Sequence, residues 1–135
     1  MIDFEYEHSV ETSARAEAVW ALWTEVDRRP EWDLSVQKLT LDGPFAVGSA
    51  GVMNIEGLPP LDYTLTEVEP GIAFTDETAI PGGAVRFAHR LERIGDRLRV
   101  TYHVEVDGPG EMGPGIVEDV PDAMEALVRL AEKAG

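Results

Sequence analysis

The chain opens on strict alternation: Ile2, Phe4, Tyr6, His8 and Val10 interleave with Asp3, Glu5, Glu7, Ser9 and Glu11. That pattern predicts a strand over residues 2–11 with one dry face and one wet face. The period then lengthens. In TSARAEAVWALWTEV, Ala16, Val19, Trp20 and Trp23 recur at helical spacing behind Thr12 or Ser13 as N-cap. DRRPEWD reads as a short second helix or turn with Pro30 near its start. Strand-like runs follow at 36–42, 49–55, 61–69, 72–80, 84–93 and 97–106, divided by Gly43-Pro44, Pro59-Pro60, Pro70-Gly71, Pro81-Gly82-Gly83 and Gly95-Asp96. DGPGEMGPG reads as a flexible connection. A helix over 115–134 closes the pattern, with Ile116, Val120, Ala123, Leu127, Leu130 and Ala134 spaced by threes and fours and Pro121 suited to a first turn.

The order β-α-α-β-β-β-β-β-β-α predicts an α+β domain spanning 1–135, a curved antiparallel sheet with one long helix laid across it. A two-residue turn at Gly95-Asp96 sets Leu91 opposite Val100, His89 opposite Tyr102, Phe87 opposite Val104 and Val85 opposite Val106. On the other face it pairs Glu92 with Arg99 and Arg86 with Glu105, so charges match outside while apolar groups match inside. A loop over Pro81–Ala84 sets Ile80 opposite Val85, Thr78 opposite Phe87, Asp76 opposite His89 and Phe74 opposite Leu91. A turn at Pro70-Gly71 sets Leu65 beside Asp76, Tyr63 beside Thr78, and Thr66 and Thr64 beside Thr75 and Glu77.

These registers answer a question raised by RFAHRLE, where His89 sits on an apolar face between Phe87 and Leu91. They predict an inner row Leu65, Asp76, His89, Tyr102, a carboxylate, an imidazole and a phenol within hydrogen-bond reach. Tyr63, Thr78, Tyr6 and His8 add polarity nearby. An unpaired polar group in a closed core costs about 1–3 kcal/mol, so this many points to an internal cavity.

Composition narrows the function. Eleven basic against 26 acidic residues leave a net charge of −15, which disfavours nucleic acid and anionic membrane surfaces as partners. With no cysteine, disulfides, zinc-thiolate sites and thiol nucleophiles are excluded. No secretory signal or membrane span is visible, and a soluble cytoplasmic protein is the expectation. The glycines of GPFAVGSAG precede no helix with a phosphate-binding lysine. EDVPD lacks calcium-loop spacing, and no nucleophile elbow supports a serine triad. Three histidines on separate strands suggest no metal site, and no cofactor is expected. His103, opposite Ala88, belongs to the outer, solvated face.

Over residues 2–134 the sequence resembles the START-like or SRPBCC superfamily, the birch-pollen-allergen fold, and within it the polyketide cyclase/dehydrase and lipid-transport branch. VETSARAEAVWALWTEVDRRPEWD, LDGPFAVGSAG, LTEVEPGIAFTDET, RFAHRLE and PDAMEALVRLAEKAG carry the resemblance. It implies a helix-grip fold in which the C-terminal helix closes a seven-stranded sheet over a deep hydrophobic cavity. It further implies binding of lipids, polyketides or other apolar small molecules, and in some members their cyclisation or dehydration. Cyclase members use polar groups inside the cavity, often including an arginine. Here Arg86, Arg90 and Arg99 point outward by register, leaving Arg93 near a strand end on the inner parity.

The expected function is therefore binding of an apolar small molecule between sheet and C-terminal helix. Expected ligand-binding residues are Trp32, Tyr63, Phe74, Asp76, Thr78, Phe87, His89, Tyr102, Met124 and Leu127. A cyclase or dehydratase is the alternative: Asp76 would orient His89 as general base while Tyr102 polarises a carbonyl. A third reading is an interaction module, and the chain is expected as monomer or homodimer. Trp20 and Trp23 are expected in the core.

Overall fold

The computed structural model describes residues 2–134; Met1 and Gly135, the ends of the expected domain, lie outside them. Strand β1 (Phe4–Thr12) leads into helix α1 (Ala16–Thr24) and a 3-10 helix (Val26–Glu31). Strands β2 (Val36–Asp42), β3 (Ala50–Ile55), β4 (Leu61–Glu69), β5 (Ala73–Ile80), β6 (Gly83–Ile94) and β7 (Arg97–Asp107) follow, then α2 (Gly113–Val117) and α3 (Val120–Ala134). All seven strands form one antiparallel sheet in the order β1-β7-β6-β5-β4-β3-β2. Helix α3 packs on α1 and β1, burying Val120, Ala123, Met124, Leu127, Val128 and Ala131. This is the helix-grip architecture.

The β6–β7 register is the expected one at every pair, from Val85 opposite Val106 to Glu92 opposite Arg99. Alternation of apolar inner and charged outer residues leaves that hairpin no other alignment that keeps both faces matched. The β4–β5 hairpin reaches its expected inner pairs by an unexpected route. Its loop holds three residues, because Glu69 pairs with Ala73. A bulge at Thr66 absorbs the extra residue, so Leu65 still faces Asp76 and Tyr63 still faces Thr78. Thr66 therefore loses its expected place opposite Thr75, although its hydroxyl donates to the Thr75 carbonyl at 3.3 Å.

The β5–β6 register corrects the sequence reading by two residues. Ile80 faces Gly83, Thr78 faces Val85, Asp76 faces Phe87 and Phe74 faces His89. Gly82 at φ +85° follows a proline whose φ is fixed, the combination of a type II turn, so the loop tightens to Pro81-Gly82 alone. A two-residue slip preserves every side chain's face but changes its neighbour.

Four further expectations are corrected around the helices. Arg15, not Thr12 or Ser13, is the N-cap of α1, without a side-chain cap bond. Thr12 is fully buried, and its hydroxyl instead accepts from the Ala14 N–H and donates to Glu132. Pro30 lies at the end of the 3-10 helix rather than at its start. The DGPGEMGPG connection is ordered as a 3-10 turn over Gly110–Met112 and helix α2. The expected helix over 115–134 is thus two helices, and Pro121 falls in the first turn of α3.

Candidate functional site

On strand β5, alternation sends Phe74, Asp76 and Thr78 inward, and all three are buried. On β6 the same parity delivers His89, 1% exposed, and on β7 Tyr102, 3% exposed. The observed inner row is His8, Tyr102, His89, Phe74, Val68, with Asp76 in the next row beside Phe87. His89 stacks on Phe74 at 3.9 Å between ring centroids and meets Tyr102 edge-on at 4.6 Å. Trp23, from α1, donates its indole N–H to the Tyr102 hydroxyl at 3.1 Å. Phe45 and Trp20 extend the aromatic cluster across Phe74.

The expected Asp76–His89–Tyr102 chain does not form. His89 Nδ1–H donates to the Phe74 carbonyl at 3.2 Å, and His89 Nε2, the acceptor this leaves, has no partner. The two-residue register shift explains the outcome, since it exchanges Asp76 for Phe74 as the neighbour of His89. Burial, and after it the charge of Arg29, push the His89 pKa down to about 3 against the pull of the Phe74 carbonyl. The imidazole is neutral at physiological pH.

Arg29 is the residue that the sequence reading missed. It lies in the 3-10 helix, its side chain only 13% exposed. Its Nε is 3.1 Å from Asp33 Oδ2 and its guanidinium carbon 4.6 Å from the centroid of the Trp32 ring. Burial opposes its charge, but Asp33, Tyr102 and Asp76 outweigh burial and raise its pKa. Strand parity had eliminated every β-sheet arginine except Arg93, which is exposed. The interior guanidinium comes from a helix instead. The available signal was the Arg29–Asp33 spacing of four beside Trp32.

Arg29, Asp76 and Tyr63 line one interior void of about 10 Å³, walled otherwise by apolar groups that include Trp23, Leu65 and Phe74. That volume holds about one water. The Asp76 side chain makes no hydrogen bond among the described residues, and the charge that acts on its carboxyl is that of Arg29. Burial raises its pKa to about 7, although Arg29 pulls the other way. Tyr63 is raised to about 12 by burial and by Asp76, again against Arg29. Its hydroxyl donates to the Thr40 carbonyl at 2.7 Å, passing over Gly51, where any Cβ would lie 2.9 Å from that oxygen.

A second, larger space opens to solvent on the other side of the Arg29–Trp32 pair. This cleft of about 550 Å³ is floored by Trp32, Ile55, Ala123 and Ala126 and rimmed by Asp33, Glu56, Asp119 and Asp122. Trp32 and Asp33 line the cleft, and Arg29, which contacts both, lines the void. Trp32 Nε1 and His89 Nε2 are completely buried polar atoms without a partner among the described residues.

The structure brings together four of the expected site residues, Tyr63, Phe74 and Asp76 at the void and Trp32 at the cleft. Phe87, Thr78, His89, Tyr102, Met124 and Leu127 line neither space. The expected pocket beneath α3 is filled at that place: Met124 and Leu127 are completely buried, as are Val104 and Val106.

The family model for polyketide cyclase / dehydrase and lipid transport matches residues 3–134. The chain belongs to that family. Its superfamily is the START-like or SRPBCC group with the birch-pollen-allergen-like fold. Among solved structures, protein NE0264 from Nitrosomonas europaea superposes with a TM-score of 0.78 at 15% identity, covering 98% of this chain and 97% of that one. Ara h 8.0201 gives 0.77 at 10% identity, covering 96% and 97%. Norcoclaurine synthase from Thalictrum flavum, in complex with dopamine and hydroxybenzaldehyde, gives 0.71 at 16% identity, covering 97% and 87%. These likenesses establish the fold. No curated protein matches the sequence. No helix among the described residues of this family member is long and apolar enough to cross a membrane.

Proposed function

We propose that the protein binds an apolar small molecule carrying one anionic or strongly hydrogen-bonding group. The apolar body rests in the cleft against Trp32, and the polar end reaches Arg29 once Trp32 swings aside and joins cleft to void. The observation that carries this reading is a buried guanidinium and a buried carboxyl lining one small void of about 10 Å³. A polar pair of this kind is costly in a purely structural core. The family's span of cyclases, dehydrases and lipid-transport proteins supports the same ligand class, as does the small aromatic cargo of norcoclaurine synthase on the same fold.

Native mass spectrometry of the purified protein tests for a co-purifying molecule, and titration with anilinonaphthalene sulfonate tests the site directly. That probe combines an aromatic body with an anionic end. Saturable binding at one site, weakened at least tenfold in Arg29→Met, is the expected result. Absence of saturable binding, or equal binding by Arg29→Met, would remove the reading.

A cyclase or dehydratase remains the second reading, favoured by one observation. Asp76, at about 7, is poised to exchange a proton near neutrality. In that reading Asp76 replaces His89 as the base, because His89 at about 3 is too weak. Arg29 would stabilise the enolate that proton removal creates. Turnover of a poly-β-ketone thioester analogue, abolished in Asp76→Asn with binding retained, tests it.

A further inference from the structure

The solvent face of the sheet at the β1 edge carries a separate cluster. Pairing of β1 with β7 sets Glu5 opposite Glu105 and Glu7 opposite His103. His103 Nε2 lies 3.3 Å from Glu5 Oε2 and 3.7 Å from Glu105 Oε2. One ligand atom from each of Glu5, His103 and Glu105 falls within 4.8 Å of the other two. Ligands bonded to a tetrahedral zinc at about 2.0–2.1 Å stand about 3.3–3.4 Å apart. The His103–Glu5 separation already has that value; the His103–Glu105 separation of 3.7 Å and the Glu5–Glu105 separation, within 4.8 Å, close by side-chain rotation.

Glu7 supplies the orienting contact. Its carboxylate Oε1 is 3.2 Å from His103 Nδ1. A carboxylate only accepts, so Nδ1 carries the proton toward Glu7, while Nε2 faces Glu5 and Glu105 and needs either a second proton or a metal ion between them. A second carboxylate on the far nitrogen is the arrangement that fixes a metal-binding histidine in its tautomer and orientation. When Nε2 is unprotonated, the pocket gathers three acceptors around a point that a metal ion satisfies. Arg86, directly across from Glu105 in β6, does not fill it. Its guanidinium is engaged by Glu77 at 2.8 Å and approaches Asp107 at 3.8 Å.

We propose that Glu5, His103 and Glu105 bind one divalent transition-metal ion, zinc by preference, with Glu7 as the orienting group and a fourth position open to water. The nitrogen and two oxygens suit zinc among available ions, whereas magnesium and calcium favour all-oxygen sets. Because Glu5 comes from the edge strand and the other two ligands from β7, the ion would staple the edge of the sheet. The cluster lies on the face opposite Arg29 and Asp76, so this site stands or falls independently of the ligand-binding reading.

Isothermal titration of the full chain with zinc chloride at physiological salt tests the proposal, with cobalt absorption as the probe of coordination. One zinc per chain is expected, together with a raised melting temperature and visible cobalt bands. Affinity should fall at least a hundredfold in His103→Gln and about tenfold in Glu7→Gln, the loss typical of an orienting carboxylate. Equal affinity in wild type and His103→Gln would mean diffuse attraction of zinc to an acidic surface and would overturn the site. So would the absence of saturable binding. Should His103→Gln fail to fold, the ring-nitrogen resonances of wild-type His103 decide: a zinc-induced shift confined to Nε2 upholds the site, and no shift refutes it.

Discussion

The sheet's inner face has two ends, and they were built under different rules. Beneath α3, Val100, Val104, Val106, Met124 and Leu127 are completely buried, and their chemistry is packing alone. Beneath the 3-10 helix the same sheet presents Asp76, Tyr63 and a helix-borne Arg29 to a void with room for one water. Both ends are screened from solvent, so burial alone does not mark a site. The difference is polar satisfaction: beneath α3 the buried Thr12 hydroxyl is bonded to Ala14 and Glu132, whereas at the other end the Asp76 carboxyl faces a void. His89 stands at the boundary, stacked on Phe74 and bonded at one nitrogen only.

The largest expected effects are the opposite pH slopes of the two boundary residues. His89 has its folded pKa depressed from 6.5 to about 3. The unfolded chain binds the extra proton in that window, so this group's stability is present above pH 6.5 and lost as pH falls toward about 3. The loss is on the order of 4–5 kcal/mol. Asp76 has its folded pKa raised from 3.8 to about 7. Here the folded state holds the extra proton, so stability is lost as pH rises from about 4 to about 7, by on the order of 4 kcal/mol. The two slopes oppose each other in wild type. Denaturant unfolding across this range should show His89→Phe losing stability as pH rises and Asp76→Asn losing it as pH falls. Parallel profiles for both variants and wild type would show that neither group is held as described.

Leu127→Ala should cost about 2–5 kcal/mol, because it leaves a cavity in the fully packed end. It should barely alter binding of anilinonaphthalene sulfonate, the inverse of Arg29→Met. If Leu127→Ala alone abolished probe binding with the fold intact, the ligand space would lie under α3 and the contrast between the two ends would be wrong. Trp23→Phe tests the seam between them. It removes the indole N–H donated to Tyr102 while keeping an aromatic ring, and should cost about 1 kcal/mol in the same unfolding assay. Arg99→Ala should have the smallest effect, under about 1 kcal/mol. Its contacts with Glu11 and Glu92 are both 3.6 Å long and lie on the solvent side of the sheet.

Much of the fold was legible in order. Alternation marked seven strands, helical spacing marked α1 and the last helix, and charge matching on the outer face aligned β6 with β7. Those signals are local or nearest-neighbour, and each is repeated many times along an element. Thr66 shows where this reading stops. Nothing in its own sequence context announces a bulge, yet the bulge cancels the extra loop residue and keeps Leu65 beside Asp76.

The sequence by itself determined which residues face inward, since a strand's period of two survives any slip by an even number. Asp76, His89 and Tyr102 are buried for that reason. Only the tertiary structure decided which of them meet. The Pro81-Gly82 turn moved β5 by two residues against β6, trading an Asp–His contact for an aromatic stack at no cost in burial pattern. The position of Arg29 was decided the same way. A 3-10 helix of six residues is too short for its period to announce an inner face, and its orientation is set by packing against β2 and α1. The pairing of β1 with β7 joins residues about 100 positions apart, as in Glu5 with Glu105. No local pattern encodes that pairing, because β1 and β2, successive in the chain, take opposite edges of the sheet and β1 lies beside the last strand instead.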